Sequence, residues 1–327
     1  MKKRLLQKTI ITLIISIQII FIPSSLYAEH YIYKQLTIKE RILTAIYSIY
    51  REENKYIWFG TKKGVYRYDG YESKHYSLKE TQYTPNITYQ LTPDSAGNFW
   101  AFTEKGLFVY DKENDKFKEV KYKDSQSISA FCYYMTKDGF FIGSTNCIYK
   151  YDYQTKKISI VKQITSSKRL NIQYIHLTPD KQKLLFCGAS NNGVMSLNLK
   201  DGKIETNIFN TSIPISCFFI DSQQRIWIAG YNYGLQCFDQ NKELLFNYTP
   251  QNSNLSNGII LCMAEIDHSL WIGTDGGGIN ILEPGKKEFE VLSHIPGNQH
   301  SLPANSIRCL YHDRYNKVHP TFRVIVS

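Results

Sequence analysis

Ten residues in the loops of this 327-residue chain have the chemistry needed to bind a sugar. Carboxylates and amides can exchange hydrogen bonds with hydroxyl groups, and tyrosine rings can cover the apolar C–H patches of a pyranose. The residues are Lys62, Lys63, Glu104, Lys105, Asn191, Asn192, Tyr231, Asn232, Tyr233 and Asp275. They differ from loop to loop, which favours a ligand site, although unconstrained surface loops vary in the same way.

Other chemically suggestive groups are better explained as structure. The segment Asp275-Gly276-Gly277-Gly278 could cradle a phosphate, but such a cradle needs a following helix N-terminus, and here a strand is predicted to follow. We therefore interpret it as a wide hairpin turn. Four aspartates occur once per repeat at a strand end, which indicates turn residues and not acid–base pairs. They are Asp69, Asp111, Asp152 and Asp239.

The seven cysteines are predicted to be core thiols. Four of them, Cys132, Cys217, Cys262 and Cys309, fall in the same strand of successive repeats, where a small buried side chain is wanted. The sequence has no Cys-x-x-Cys pair, and its eight histidines lack the spacing of metal ligands. No metal and no cofactor is predicted.

The elements that would position the loop residues are sheets repeated along the chain. All four tryptophans share one register, and two degenerate copies of the motif fill the gap between the second and third tryptophans. The copies are WFGTKKGVYRYD from Trp58, WAFTEKGLFVYD from Trp100, FIGSTNCIYKYD from Phe141, FCGASNNGVMSLN from Phe186, WIAGYNYGLQCFD from Trp227 and WIGTDGGGINILE from Trp271. Their period is that of a four-stranded propeller blade. An equivalent tryptophan in so many copies favours packing between sheets over a sugar-stacking platform.

The fifth copy shows how a repeat divides into four strands. We predict an inner strand over residues 215–220, a tight turn over 221–225, and further strands over 226–230, 234–238 and 244–248. None of these segments has the apolar spacing of a helix. The predicted class is therefore all-β.

The first 28 residues have the features of a secretory signal peptide. Four basic residues open the segment, an apolar run covers residues 10–22, and cleavage is expected after Ala28, with an uncleaved anchor as the alternative. Loss of the four positive charges lowers the net charge from +10 to +6. This mild excess suits an acidic glycan but is also usual for a solvated surface. We expect a periplasmic chain and no nucleic-acid partner.

The string W-I-G-T-x-x-G-G, followed by apolar residues and a closing Asp or Glu, resembles the two-component regulator propeller repeat. The opening YKQLTIKERILTAIYSIYREENKYIWFGT also resembles the first mature residues of hybrid two-component sensors of gut Bacteroidetes. The resemblance covers residues 29–318 and implies propellers that sense saccharides in the periplasm. In longer relatives it also implies a membrane helix and kinase, receiver and DNA-binding domains. Because this chain contains none of those domains, we do not expect it to be an enzyme. We expect membrane attachment only through such downstream segments or through an uncleaved signal, and a homodimer only in the full-length form.

Together these observations predict a seven-bladed β-propeller of four-stranded meander blades whose last blade is incomplete. Residues 306–318 match the inner strand and turn of a seventh blade, but His319 and Pro320 stand where Trp and Ile belong, and residues 319–327 form an atypical tail. A frameshift, a premature stop or a truncated gene model would explain this tail, with a natural terminus as the alternative. We expect residues 31–37 to close the ring, an exposed inner strand near Ile307, and marginal stability.

The leading functional prediction is extracytoplasmic sensing of an oligosaccharide. A propeller that serves only as a protein-interaction scaffold would have a similar sequence. A lyase or glycosidase would need an asymmetric set of histidines or carboxylates at the central funnel, and the sequence offers none. We expect a ligand to bind on the face that carries the loops between second and third strands and the loops between blades.

Overall fold

Short strands make up the regular structure because β-branched and aromatic residues fill brief segments that end at Gly, Asn and Asp. The computed structural model describes residues 44–53, 55–79, 84–123, 125–166, 168–188, 193–211, 213–298, 301–312 and 323–325. These residues belong to one compact unit, Tyr33–Ser327. Within the described ranges there is no helix of the length and apolar character that a bilayer crossing requires.

Six antiparallel four-stranded sheets follow one another along the chain, each a meander of consecutive strands. Blades 1 to 3 contain β1 (Ile46–Arg51), β2 (Ile57–Thr61), β3 (Gly64–Tyr68), β4 (Ser73–Tyr76), β5 (Thr88–Pro93), β6 (Phe99–Thr103), β7 (Gly106–Asp111), β8 (Lys116–Val120), β9 (Cys132–Thr136), β10 (Gly139–Gly143), β11 (Cys147–Asp152) and β12 (Lys157–Gln163). Blades 4 to 6 contain β13 (Tyr174–Leu177), β14 (Lys183–Cys187), β15 (Met195–Asn198), β16 (Ile204–Glu205), β17 (Ile215–Ile220), β18 (Ile226–Gly230), β19 (Gly234–Phe238), β20 (Leu244–Tyr248), β21 (Ile260–Ile266), β22 (Ser269–Thr274), β23 (Ile279–Leu282) and β24 (Glu290–Leu292).

The fifth blade confirms the sequence prediction, because β17 to β20 begin and end at the predicted residues. The turns account for this agreement. The carboxylate of Asp221 accepts the backbone N–H of Arg225 at 2.8 Å, and that of Asp239 accepts the N–H of Glu243 at 2.8 Å. Each aspartate therefore ends one strand and starts the next with a bond that few other side chains can make. The predicted turn role is also confirmed for Asp69, Asp111 and Asp152.

The tryptophans pack between neighbouring blades, as predicted. All four are buried. The ring centroid of Trp58 lies 4.9 Å from that of Phe99 in blade 2, and the centroid of Trp100 lies 5.0 Å from that of Phe140 in blade 3. Trp58 and Trp100 thus contribute aromatic contact area to the next blade, and Trp227 packs with Leu270 and Ile272 of blade 6, which explains why the residue recurs with the period of the sheets.

A two-stranded sheet follows the sixth blade, so the described residues contain six complete blades and not seven. Its strands are β25 (Cys309–Tyr311) and β26 (Arg323–Ile325), which pair antiparallel. Part of the residues expected to form a seventh blade, and residues 31–37, which were expected to close the ring, lie outside the described ranges. The seven-bladed prediction is thus met only at the level of the propeller class.

The prediction of an exposed strand near Ile307 is wrong, since this side chain is fully buried. The N–H of Ile307 donates to the carbonyl of Thr274 in blade 6, and Cys309 packs with Ile46 and Phe59 of blade 1. A Cβ added to Gly273 would lie 2.8 Å from the carbonyl oxygen of Ile307, so only glycine leaves room for this main chain. The segment is covered from both sides, which the prediction from the isolated repeat did not consider.

Candidate functional site

Two sets of loops meet on one face of the propeller, and we call this the loop face. It is formed by the loops between second and third strands, such as 62–63, 104–105, 231–233 and 275–277, and by the segments that enter each inner strand. The N–H of Glu104 donates to the carbonyl of Ile87 at 2.9 Å, and the N–H of Asp275 donates to that of Ile259 at 2.9 Å. These bonds fix the two sets of loops side by side, as the meander connectivity predicts.

The Thr and Gly of the repeated motif shape these loops. The hydroxyl of Thr274 donates to the carbonyl of Gly278 at 2.9 Å and accepts the N–H of Gly277 at 3.1 Å. Gly278 has a φ of 76°, and a Cβ at this position would lie 2.1 Å from the carbonyl oxygen of Leu292. The wide hairpin turn predicted for this segment is confirmed. Because Thr and Gly fix the frame of the loops in blades 1, 2 and 6, the remaining side chains of these loops are free to differ.

The structure places eight of the ten predicted site residues on the loop face. Lys62 and Lys63 are exposed, while Glu104 and Lys105 are half-buried. The tyrosines of the blade 5 loop project furthest, with Tyr231 61% and Tyr233 54% exposed. Asn232 has a left-handed backbone conformation, with a φ of 64°. Asp275 accepts a 2.7 Å hydrogen bond from the Ser306 hydroxyl in a neighbouring loop. Asn191 and Asn192 lie outside the described residues.

Sequence reasoning missed a set of aromatic residues at the start of the inner strands. A β-bulge places one extra residue in β1, between Ile46 and Ser48, and one in β5, between Thr88 and Gln90. The extra residues are Tyr47 and Tyr89, whose ring centroids are 6.0 Å apart, and Tyr89 also lies 5.4 Å from Phe131 of blade 3. A bulge re-aims a side chain away from the regular alternation. These three residues form an aromatic group, Tyr47–Tyr89–Phe131, that crosses three blades.

The repeat contained a signal for this position. Phe131, Ser216, Leu261 and Arg308 each directly precede one of the four recurring cysteines. The bulges in β17 and β21 fall at Ser216 and Leu261. One residue per repeat therefore occupies the same place, and only the first three copies are aromatic.

Charged groups flank the aromatic group. Burial raises the pKa of Tyr89 to about 12, and the Glu104 carboxylate and Tyr47 add to this increase, while Arg169 opposes it. Arg169 donates to the side-chain oxygen of Asn171 at 3.1 Å. The same oxygen accepts a 2.9 Å bond from Thr145. A carboxylate, a guanidinium and an amide thus lie near a wall of aromatic rings, an arrangement that can hydrogen-bond hydroxyl groups and stack against a ring.

The fold defines the class of protein as an all-β propeller of four-stranded antiparallel blades. No protein-family model matches the chain, and no curated protein matches it. Solved structures do share the fold, and among them are extracellular domains of hybrid two-component system proteins of B. thetaiotaomicron.

The extracellular domain of BT3049 matches with a TM-score of 0.70 at 22% identity, over 88% of this chain and 40% of that one. The extracellular domain of BT4673 matches with a TM-score of 0.66 at 17% identity, over 87% of this chain and 38% of that one. A catalytically inactive virginiamycin B lyase from Staphylococcus aureus has a TM-score of 0.61 at 16% identity, over 83% and 91%. These likenesses establish the fold, and the chain spans about two-fifths of the length of the two extracellular domains.

Proposed function

We propose that this chain is the propeller of an exported sensor that binds an oligosaccharide on its loop face, as part of or derived from a hybrid two-component regulator. Two observations support export and sensing: the signal-like first 28 residues, and the fold shared with extracellular domains of two-component proteins. Kinase activity is not proposed for the chain itself. A seventh blade, begun by β25 between blades 6 and 1, would complete the ring.

The observation that carries this proposal is the group of side chains around Tyr89. The half-buried Tyr47 and Tyr89 supply ring faces for the C–H patches of a sugar, and the buried Phe131 packs against Tyr89. Glu104, Arg169 and Asn171 supply acceptors and donors for the hydroxyls of the sugar. The exposed Tyr231 and Tyr233 extend the same face to blade 5. A site of this breadth suits a ligand of several sugar residues better than a monosaccharide.

The test is isothermal titration calorimetry of the full chain against neutral and acidic oligosaccharides. We expect one or more of them to bind, and Glu104→Gln to weaken that binding by roughly tenfold because a carboxylate acceptor for sugar hydroxyls is lost. Glu113→Gln is the matched control, since Glu113 is exposed in a turn on the opposite face. If Glu104→Gln, Tyr231→Ala and Tyr233→Ala all leave the affinity unchanged, the loop-face site is wrong.

A further inference from the structure

A cavity of about 390 Å³ lies between blades 1 and 2, on the face opposite to the loop face. We call that side the turn face, because it carries the turns between first and second strands and between third and fourth strands. The cavity is bounded by the turn that follows β1, the turn that follows β5, and the turn that follows β7. Its volume is within the usual range for small-molecule sites. Five aromatic residues line it: Tyr50, Tyr56, Trp58, Phe99 and Tyr110.

Trp58 brings an unused hydrogen-bond donor to this cavity. Its side chain is only 2% exposed, yet its indole N–H has no acceptor among the described residues and is not one of the atoms sealed in the core. In blades 2 and 5 the equivalent N–H groups donate to buried aspartates at 2.9 Å, from Trp100 to Asp94 and from Trp227 to Asp221. Because the Trp58 N–H opens on the cavity, water or a ligand oxygen there can accept from it.

Of the cationic side chains that line the cavity, one has no ion pair among the described residues. Asp115 is saturated, since its carboxylate accepts hydrogen bonds from Arg67 at 2.9 Å, from Lys74 at 2.6 Å and from Tyr76 at 2.6 Å, as well as from the Tyr110 hydroxyl. Lys55 lies 3.7 Å from the carboxylate of Glu52. Lys112 also lines the cavity, and it has no ion pair among the described residues. The cavity therefore presents a net positive charge at its rim.

The Arg67–Asp115 pair makes one wall rigid. The guanidinium carbon of Arg67 lies 4.4 Å from the ring centroid of Tyr56, so the cation is held by an aromatic face as well as by Asp115. Arg67 belongs to blade 1 and Asp115 to blade 2, and the pair therefore fixes the width of the cavity. A preformed wall lowers the ordering cost that a ligand would meet.

We propose that this cavity, between blades 1 and 2 on the turn face, is a second ligand site for a six-membered ring that carries a carboxylate. Aromatic walls suit the flat or apolar face of a ring, the Trp58 N–H needs an acceptor oxygen, and Lys112 attracts an anion. Both a uronic acid residue and an aromatic carboxylic acid have this chemistry. The site is independent of the oligosaccharide proposed for the loop face.

The experiment measures binding of glucuronate and of benzoate to the full chain by ligand-observed NMR and calorimetry, with glucose as the neutral probe. We expect one of the two acids to bind and glucose not to bind. Binding of glucuronate alone would identify a sugar acid as the ligand class, and binding of benzoate alone an aromatic acid. Failure of both acids to bind at millimolar concentration, or equal binding of glucose, would overturn the proposal.

Two variants locate the binding. Lys112→Gln should lower the affinity for the acid by roughly fivefold at low salt, because an exposed charge contributes modestly to binding and is screened as salt is added. Glu52→Asp should weaken it by roughly tenfold, because the shorter acid can accept the Trp58 N–H as Asp94 accepts that of Trp100. Lys137→Gln, an exposed lysine in a turn of blade 3, is the matched control. An unchanged affinity in both Lys112→Gln and Glu52→Asp would place the acid elsewhere, while loss of oligosaccharide binding in Glu104→Gln tests only the loop-face site.

Discussion

Blade 1 and blade 5 use the same tryptophan in different ways. In both blades the tryptophan is the second residue of the second strand. The turn before that strand is closed by the same two main-chain hydrogen bonds in both. The N–H of the first turn residue donates to the carbonyl four residues later, and the N–H of the fourth turn residue donates back to the carbonyl of the first. In blade 5 the first residue is Asp221, which reaches the indole of Trp227 at 2.9 Å. In blade 1 it is Glu52, and the indole of Trp58 remains open to a cavity.

The difference between the two blades is one methylene group in an acid. Asp221 is buried and accepts from the backbone of Arg225 and from the indole N–H, so it joins the turn to the core. Glu52 lies 3.7 Å from Lys55 within its own turn. A repeat can therefore conserve its backbone while one copy gives up a stabilising bond, and a blade that does so gains a place where a ligand can be held.

The largest expected effect is the difference in stability between removing Asp94 from blade 2 and removing Glu52 from blade 1. Asp94→Ala in blade 2 should lower the free energy of unfolding by roughly 2 to 4 kcal/mol, because it leaves the Trp100 indole and the N–H groups of Ala96 and Asn98 without their acceptor. Glu52→Ala should cost less than about 1 kcal/mol. Urea titrations followed by circular dichroism measure both values. Equal losses would mean that Glu52 holds blade 1 as Asp94 holds blade 2.

A second comparison removes the indole instead of the acid. Trp227→Phe should destabilise the chain by about 1 to 3 kcal/mol more than Trp58→Phe, since both lose similar contact area but only the first removes a buried hydrogen bond. The same urea titrations give the difference. A larger loss for Trp58→Phe would show that its N–H already has a partner.

The missing bond can also be restored. Glu52→Asp should raise the free energy of unfolding by roughly 0.5 to 1.5 kcal/mol, because the turn of blade 1 has the main-chain geometry that brings Asp94 and Asp221 to their indoles. Thermal unfolding of this variant beside Glu52→Gln, which cannot shorten the side chain, gives the measurement. No gain for Glu52→Asp relative to Glu52→Gln would show that side-chain length is not what separates the blades.

The smallest effect concerns the wall of the cavity. Burial alone would raise the pKa of Asp115. Hydrogen bonds from Lys74, Tyr110, Tyr76 and Arg67 outweigh burial and lower this pKa below the ordinary aspartate value of about 3.9. As the pH falls, the Asp115 carboxylate is therefore protonated in the unfolded chain before it is protonated in the folded chain. The stabilisation that this ionised carboxylate contributes above about pH 4 is lost as the pH falls towards the lowered pKa. The melting temperature of Asp115→Asn should lie below that of the unmodified chain at pH 5 to 7, and the gap should narrow below pH 4. A gap that stays constant down to pH 3 would contradict this assignment.

Local signals made much of the fold predictable. The strands of blade 5 were predicted to the residue because Asp221, Asp239 and Gly234 each end or begin a strand through a bond or a φ that few residues can provide. The packing of the tryptophans followed from their period. The burial near Ile307 did not follow, because Ile307 contacts Gly273 and Thr274 of blade 6, and the neighbouring Cys309 packs on blade 1 at the other end of the sequence.

The site was less accessible to sequence reasoning. The variable loops indicated the loop face. The bulges that bring Tyr47 and Tyr89 together cannot be predicted from composition, because a bulge is a shift of register between two paired strands. The cavity of blade 1 was also missed. Glu52 and Asp94 have the same charge and the same place in the repeat, and sequence alone does not show that only Asp94 accepts from an indole N–H.

The buried cysteines bear on how fast the chain must fold if it enters an oxidising compartment. All seven are free thiols, and burial raises the pKa of Cys217 and of Cys309 to about 12, so almost no thiolate forms in the folded state. If the chain is exported as proposed, the six buried thiols are open to oxidation only while it is unfolded. Closure of each blade then competes in time with disulfide formation, and a slow-folding variant would be trapped as mixed disulfides before it lost much equilibrium stability.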